Sequence, residues 1–189
     1  MTTLIKTNRT GAQEFINTST NGIIIIGDAG VGKTTLIRQP RMVSASVLAM
    51  EFQANGLEAV KAIINSQIQY QNKTVIIDDL GLEEDVKHYG NGLDPIQYVV
   101  QRIYDINQMS DDKIKLIFTT NLDKTELIAK YGIRVVDRIW ELCDRIKLED
   151  TNIRKENPVN TQAAMVYIET PLEATLPDEH VHLLEGLDT

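Results

Sequence analysis

Short, continuous apolar runs alternate along this chain with segments in which apolar residues recur every three or four positions. We interpret the runs as strands at about 23–27, 41–44, 74–79, 114–119 and 145–149. Several of these runs lack polar alternation, which is typical of strands covered on both faces. The pattern therefore predicts an α/β fold in which a five-stranded parallel sheet is connected by crossover helices.

The segments between the runs carry recognisable helix boundaries. Asp94 precedes Pro95, which predicts an N-cap followed by proline in the first helical turn. Asp123 and Glu126 have the spacing of a capping box, and Gly132 is a favourable residue for that helix to end on.

The segment at about 134–143 predicts an amphipathic helix. Its polar side carries Arg134, Arg138 and Glu141 at helical spacing, so the two arginines are available to another molecule. Its apolar side consists of Val135, Val136, Ile139, Trp140 and Cys143.

The residues after the first buried run match the phosphate-binding pattern G-x-x-x-x-G-K-[ST]. Glycine permits backbone angles closed to other residues, which lets amide N–H groups surround phosphates. Lys33 would neutralise charge on the β- and γ-phosphates, and Thr34 would bind Mg²⁺. We expect ATP and Mg²⁺ here, with the nucleotide contacting Gly27, Asp28, Ala29, Gly30, Val31, Gly32, Lys33, Thr34 and Thr35.

Two further buried runs end in polar side chains: Asp78 and Asp79 end one, and Asn121 follows another. Because parallel strands bring their carboxyl ends to one edge of a sheet, we expect Asn121 beside Asp79 and the terminal phosphate. Adjacent strand residues point in opposite directions, so we assign Asp78 to Mg²⁺ and Asp79 to the attacking water. Glu83 and Glu84 are alternative bases, although a solvated loop explains them better.

Three segments together resemble the AAA+ ATPases, most closely the branch of the bacterial helicase loader DnaC and the transposition helper IstB. They are IIDDLG at 76–81, TTNL at 119–122 and YGIRVVDRI at 131–139. The third is similar to the branch's Y-G-x-R-V-x-x-R-[IL] segment and is the most specific. The resemblance covers about residues 20–155 and implies a three-layer α/β/α P-loop fold of the AAA+ type. As a departure from the family, we expect no lid domain after Arg154.

The resemblance also implies a role for each matching residue. Lys33 and Asn121, the latter as the sensor residue, belong to the catalytic set with Asp79, which stands where many members have a glutamate one methylene longer. Arg138 is the arginine finger, reaching the γ-phosphate bound to a neighbouring subunit. Arg154 occupies a position similar to the second sensor arginine and contacts the nucleotide.

The function that this resemblance implies is ATP hydrolysis in DNA replication, by a DnaC-like helicase loader that works as an ATP-dependent homo-oligomer. A replicative helicase and single-stranded DNA are then its partners. The motifs leave open an IstB-like transposition helper with a transposase as partner, and a non-hydrolysing nucleotide switch. A small-molecule kinase fits less well, because Asp78, Asp79 and Asn121 form a hydrolase arrangement and no arginine-rich lid is evident.

Composition and charge exclude some classes of protein and indicate how the chain is divided. The chain of 189 residues has 42% hydrophobic and 24% charged residues, which is ordinary for a globular protein, and no apolar run approaches the roughly 20 residues of a membrane helix. A lone Cys143 excludes an intramolecular disulfide. All 19 Lys and Arg residues precede residue 156, which predicts an acidic tail at 156–189. The resemblance then implies an AAA+ ATPase domain at 1–155. We expect a soluble, cytoplasmic protein.

Overall fold

The computed structural model describes residues 4–85 and 94–149, so Arg154 and the tail at 156–189 lie outside the described residues. Within these ranges the strands are β1 (Leu4–Thr7), β2 (Gly22–Ile26), β3 (Val43–Ser44), β4 (Thr74–Leu80), β5 (Lys115–Thr120) and β6 (Cys143–Leu148). All neighbours pair in parallel in one sheet, in the order β1-β6-β2-β5-β4-β3. The carboxyl ends of the strands therefore meet at one edge, where sites form in such sheets.

Helices cover both faces of this sheet. They are α1 (Arg9–Thr18), α2 (Lys33–Ile37), α3 (Ala45–Asn55), α4 (Leu57–Tyr70), α5 (Pro95–Met109), α6 (Lys124–Tyr131) and α7 (Ile133–Leu142). The apolar side chains of α1 and α2 pack in one core with one face of the sheet, and those of α3 to α7 pack in a second core with the other face. The result is a three-layer α/β/α architecture.

The isoleucines of β2 show how the sequence produces these layers. Ile23 and Ile25 lie in the core beside α1 and α2, whereas Ile24 lies in the opposite core. Successive side chains of a strand point to opposite faces of the sheet. A strand that is buried on both faces therefore has apolar residues at successive positions, without polar residues between them. The continuous apolar runs are thus a direct consequence of the central position of β2 in the sheet.

The predicted helix boundaries are confirmed. The Asp94 carboxylate accepts hydrogen bonds from the N–H groups of Ile96 at 2.7 Å and Gln97 at 3.2 Å, and Pro95 begins α5. Asp123 and Glu126 form a reciprocal capping box at the start of α6, with N···O distances of 2.9 and 2.8 Å. These caps satisfy N–H groups that the first helical turn leaves without partners.

The expected fold class, a three-layer P-loop fold with a parallel sheet, is confirmed, but the strand number was wrong. The five expected strands are present with slightly shifted ends, and the described residues include a sixth strand, β1, which pairs with β6 at the sheet edge. Its four residues are too few to produce a readable apolar run. Across the described ranges, no helix combines the length and apolar character needed to span a membrane.

Candidate nucleotide-binding site

The phosphate loop connects β2 to α2. Gly30 and Gly32 have φ angles of 87° and 90°, left-handed values that strain other residues, and Gly32 is the residue from which α2 begins. Val31 is buried and anchors the loop, and glycine-rich loops of this geometry present amide N–H groups to phosphates. The other expected loop contacts are the half-buried Gly27 and the exposed Asp28, Ala29 and Thr35.

Lys33 is the first residue of α2 and is only 5% exposed. Its ammonium group donates hydrogen bonds to the carbonyl oxygens of Gly27 and Asp28, both at 2.8 Å, and to the side-chain oxygen of Asn121. Asn121 follows β5, so the lysine links the phosphate loop to the neighbouring strand end. A buried positive charge is costly unless it is well hydrogen-bonded, and these three oxygens supply such bonds.

Thr34 and Asp78 form a second group directly beside Lys33. The Thr34 hydroxyl donates to the Asp78 carboxylate at 3.2 Å, and the Thr119 hydroxyl donates to the same carboxylate oxygen. Among the described residues, no cluster of three or more His, Cys, Asp and Glu side chains could hold a metal. A cation at Thr34 and Asp78 would therefore complete its shell with phosphate oxygens and water, which fits the preference of Mg²⁺.

Asp79 differs from Asp78 in backbone conformation and in burial. Its φ is 54°, a left-handed value for a residue with a side chain, and the pairing register of β4 and β5 shifts between Ile77 and Leu80. The N–H of Asp79 donates to the Thr119 hydroxyl at 2.9 Å. Such backbone strain costs about 1–3 kcal/mol and persists only where the surroundings hold it. Asp78 is buried, whereas Asp79 is half-buried, so the two carboxylates have different environments.

The ends of β4, β5 and β2 are joined by Thr120. Its hydroxyl donates to the carbonyl oxygen of Leu80 at 2.7 Å, and its own carbonyl oxygen accepts from the N–H of Gly27 at 3.2 Å. The structure thus brings the strand ends and the phosphate loop together at one edge. Residues 27–34 with Asp78, Asp79 and Asn121 form what we call the nucleotide cradle.

Arg138 lies apart from the direct contacts of the cradle, on α7. Its guanidinium carbon is 5.3 Å from the centre of the Tyr104 ring on α5, a cation–π geometry, and the arginine is half-buried. A hydrogen bond to Glu141 raises the pKa of the Tyr104 phenol. Arg134, Arg138 and Glu141 form what we call the arginine face of α7.

Sequence reasoning missed several residues that contact the cradle or the arginine face. Thr119 bridges Asp78 to the backbone of Asp79, and its signal was its position at the end of a buried strand. Tyr104 was not singled out at all. Glu83 was expected in a solvated loop, which is wrong: Glu83 is 6% exposed, while Glu84 is exposed.

No protein-family model matches the sequence, and no curated relative matches it. Several solved structures do match. Domain III of the replication initiation protein DnaA from Thermotoga maritima has a TM-score of 0.48 at 17% identity, over 78% of this chain and 64% of that one. The AAA domain of FIGL-1, solved in complex with ADP, has a TM-score of 0.45 at 19% identity, over 76% and 48%.

A third solved structure, the Pif1 helicase from Candida albicans, has a TM-score of 0.42 at 14% identity, over 79% of this chain and 41% of that one. This chain therefore spans less than two thirds of the length of each of the three. At these identities and TM-scores the likenesses assign no activity, substrate or partner to the chain.

Proposed function

We propose that this chain is an AAA+ ATPase that binds ATP with Mg²⁺ and hydrolyses it to ADP and phosphate when several copies assemble. The observation that carries the proposal is the buried Lys33, held between loop carbonyls and Asn121 beside the pair Thr34 and Asp78. This combination supplies a fixed positive charge and hard oxygen ligands at the carboxyl edge of a parallel sheet.

Each cradle residue has a separate task in this proposal. Lys33 neutralises charge on the β- and γ-phosphates, and Thr34 and Asp78 hold Mg²⁺, which adds positive charge at the same oxygens when bound. Asp79 accepts a proton from the attacking water as the water oxygen bonds to the γ-phosphorus and the bond to the ADP oxygen breaks. Asn121 orients the water without adding charge, and Arg154 contributes a further nucleotide contact.

Arg138 acts, in this proposal, on the nucleotide of a neighbouring copy. The hydrogen-bonded cradle is built by β2, α2, β4 and β5, whereas Arg138 belongs to α7 and lies over Tyr104. An arginine supplied by a second molecule makes hydrolysis depend on assembly and contributes about 10³–10⁵ in rate in GTPase systems. The proposed partner for this interaction is therefore another copy of the same chain.

Mixing two inactive variants tests this arrangement. Lys33→Ala lacks a working cradle but keeps Arg138, and Arg138→Ala has the reverse defect. If the arginine acts on the neighbour, a mixed assembly contains sites with an intact cradle and an intact arginine, so the mixture regains phosphate release that neither variant shows. Arg102→Ala, which removes an exposed arginine from α5, is the control and retains wild-type turnover.

Four outcomes contradict the proposal. Full turnover of Arg138→Ala alone rules out the arginine finger, and a mixture as inactive as its components rules out action on a neighbour. Wild-type protein that binds ATP but releases no phosphate, with or without single-stranded DNA, would favour the nucleotide switch. ATP consumption that exceeds phosphate release would favour a kinase.

The proposed place of this activity is DNA replication, with a replicative helicase as partner, because residues 131–139 resemble the helicase-loader branch. A transposition helper would share the same cradle, so its partner distinguishes it. Parallel pull-downs with a replicative helicase and a transposase, in the presence of a non-hydrolysable ATP analogue, test the assignment. Retention of the helicase supports the loader, and retention of the transposase alone overturns it.

A further inference from the structure

Glu83 is a buried carboxylate whose two oxygens are both engaged. One oxygen accepts a hydrogen bond from the N–H of Gly81 at 3.0 Å, and the other accepts from the hydroxyl of Tyr131. The ammonium group of Lys130 lies 3.6 Å from that second oxygen and donates to the Glu83 carbonyl oxygen at 2.6 Å. Because burial of a carboxylate costs several kcal/mol unless it is paired and hydrogen-bonded, these contacts hold Glu83 in one place.

On one side, Glu83 holds the turn that follows Asp79. Gly81 has a φ of 100°, and a side chain at this position would collide with Leu122. The N–H of Leu82 donates to the carbonyl oxygen of Asp79 at 3.2 Å, which closes the turn. The strained Asp79 backbone is therefore held on its amino side by Thr119 and on its carboxyl side by a turn that Glu83 fixes at Gly81.

On the other side, Glu83 holds the corner before the arginine face. Tyr131 is the last residue of α6, is 2% exposed and precedes Gly132, from which α7 begins. Its carbonyl oxygen accepts from the side-chain amide of Gln97 on α5 at 3.2 Å. The orientation of the first turn of α7, and with it of Arg138, depends on this corner.

We propose that Glu83 is a positioning residue that aims Asp79 and joins it through Tyr131 to the helix that carries Arg138. The inference rests on the proposed ATPase function. In an assembly, Asp79 works in the chain's own site and Arg138 in the neighbour's, so the Glu83–Tyr131 contact connects two successive sites. We assign the base to Asp79 and not to Glu83, because Glu83 is only 6% exposed and its carboxylate is engaged by Gly81, Tyr131 and Lys130.

Glu83→Gln and Tyr131→Phe test this connection, alone and together. Each removes part of the contact while keeping size and shape, and we expect each to lower kcat about tenfold with the Kd for ATP unchanged. The double variant should be no slower than the slower single variant, since both changes break the same contact. Glu58→Gln and Tyr70→Phe, two exposed residues of α4, are matched controls and leave kcat unchanged.

Amide hydrogen exchange of the same proteins provides a readout that does not require hydrolysis. Glu83→Gln and Tyr131→Phe should both exchange faster at residues 80–84 and also at residues 132–136, whereas the controls match the wild type. Additive kinetic losses, a change in ATP affinity in place of kcat, or faster exchange at only one of the two segments would overturn the connection. Absence of turnover in the wild type would instead overturn the ATPase proposal, and exchange would still decide the role of Glu83.

Discussion

The nucleotide cradle and the arginine face differ in how their polar groups are held. In the cradle, Lys33 and Asp78 are buried and are hydrogen-bonded to other polar groups of the same chain. On the arginine face, Arg134 and Glu141 are exposed, and Arg138 lies half-buried over an aromatic ring. Lys33 and Asp78 in the cradle thus find hydrogen-bond partners within the same chain, whereas the charged groups of the arginine face lie at or near the surface.

This difference separates the two steps of the proposed reaction. Preorganised, buried donors and ligands allow a single chain to bind the nucleotide, because no large rearrangement has to precede binding. A guanidinium near the surface contributes to hydrolysis only when a second copy approaches it. Changes to the phosphate loop, Lys33 and Asp78 should therefore affect binding or the stability of the chain, whereas changes on the arginine face should affect turnover alone.

The largest expected effect comes from Lys33→Ala, which removes the buried charge from the cradle. We expect the Kd for ATP to rise by about 100-fold or more, because the variant loses all the charge-assisted contacts that the Lys33 ammonium group would make to phosphate. Titration with a fluorescent ATP analogue in the presence of Mg²⁺ measures the change. Lys147→Ala, at an exposed position of β6, is the control, and a Kd for Lys33→Ala within threefold of that control would contradict the role of Lys33.

Thr119→Val tests the hydroxyl that joins Asp78 to the backbone of Asp79. The side chain is fully buried, so valine preserves its shape but leaves the N–H of Asp79 without this acceptor. We expect the free energy of unfolding to fall by about 1–3 kcal/mol and turnover to fall with it. Denaturant unfolding measures the first effect, with Thr125→Val on the exposed side of α6 as control. Equal stability of the two variants would show that the hydroxyl contributes nothing.

The cradle could be predicted from sequence because its parts are local or follow from the sheet. The phosphate loop is a contiguous motif, and Asn121 could be placed at the same sheet edge as Asp79 because parallel strands share a carboxyl edge. The structure refines that placement, since Asn121 contacts Lys33 directly.

The contacts that join the regions could not be predicted in the same way. Glu83 is hydrogen-bonded to Tyr131, which lies 48 positions further along the chain. The residues next to Glu83 in the sequence do not distinguish it from Glu84. The short strand β1 could not be predicted for the same reason, because β6, with which it pairs, is more than 130 residues away. Such features depend on tertiary pairing, which hydrophobic periodicity does not report.

Alkaline pH tests the contact between Tyr131 and Glu83, which joins the cradle to the arginine face. Burial, and secondly the hydrogen bond to Glu83, raise the pKa of Tyr131 above its ordinary value of 10.0. The folded chain then keeps a proton that the unfolded chain releases, so this stabilisation is complete below pH 10 and is lost as the pH rises towards the pKa of the folded state. We expect a loss of about 1 kcal/mol between about pH 10 and pH 11 from this group.

Denaturant unfolding at both pH values isolates the Tyr131 contribution when wild type and Tyr131→Phe are compared. Burial also raises the pKa of Cys143, but this thiol is present in both proteins and cancels in the difference. The acidic neighbours Glu83 and Asp94 and the basic Lys130 are likewise common to both. The same loss of stability in both proteins would show that Tyr131 is not held in its protonated form by the fold.

The smallest expected effect concerns Tyr104, which supports Arg138 on the arginine face. A cation–π contact at an accessible site contributes about 0.5–1 kcal/mol, so Tyr104→Leu should lower kcat by about two- to fivefold. The Kd for ATP should not change, because Arg138 and Glu141, the partners of Tyr104, belong to α7 and not to the cradle. Tyr104→Phe keeps the ring and loses only the hydrogen bond to Glu141, so its kcat should remain close to that of the wild type.

Phosphate release is measured at saturating ATP, and light scattering gives the oligomer fraction in the same samples. Together they distinguish weaker orientation of Arg138 from weaker assembly. If leucine and phenylalanine have equal effects, the ring does not orient the arginine, and the arginine face must be held by the neighbouring copy alone.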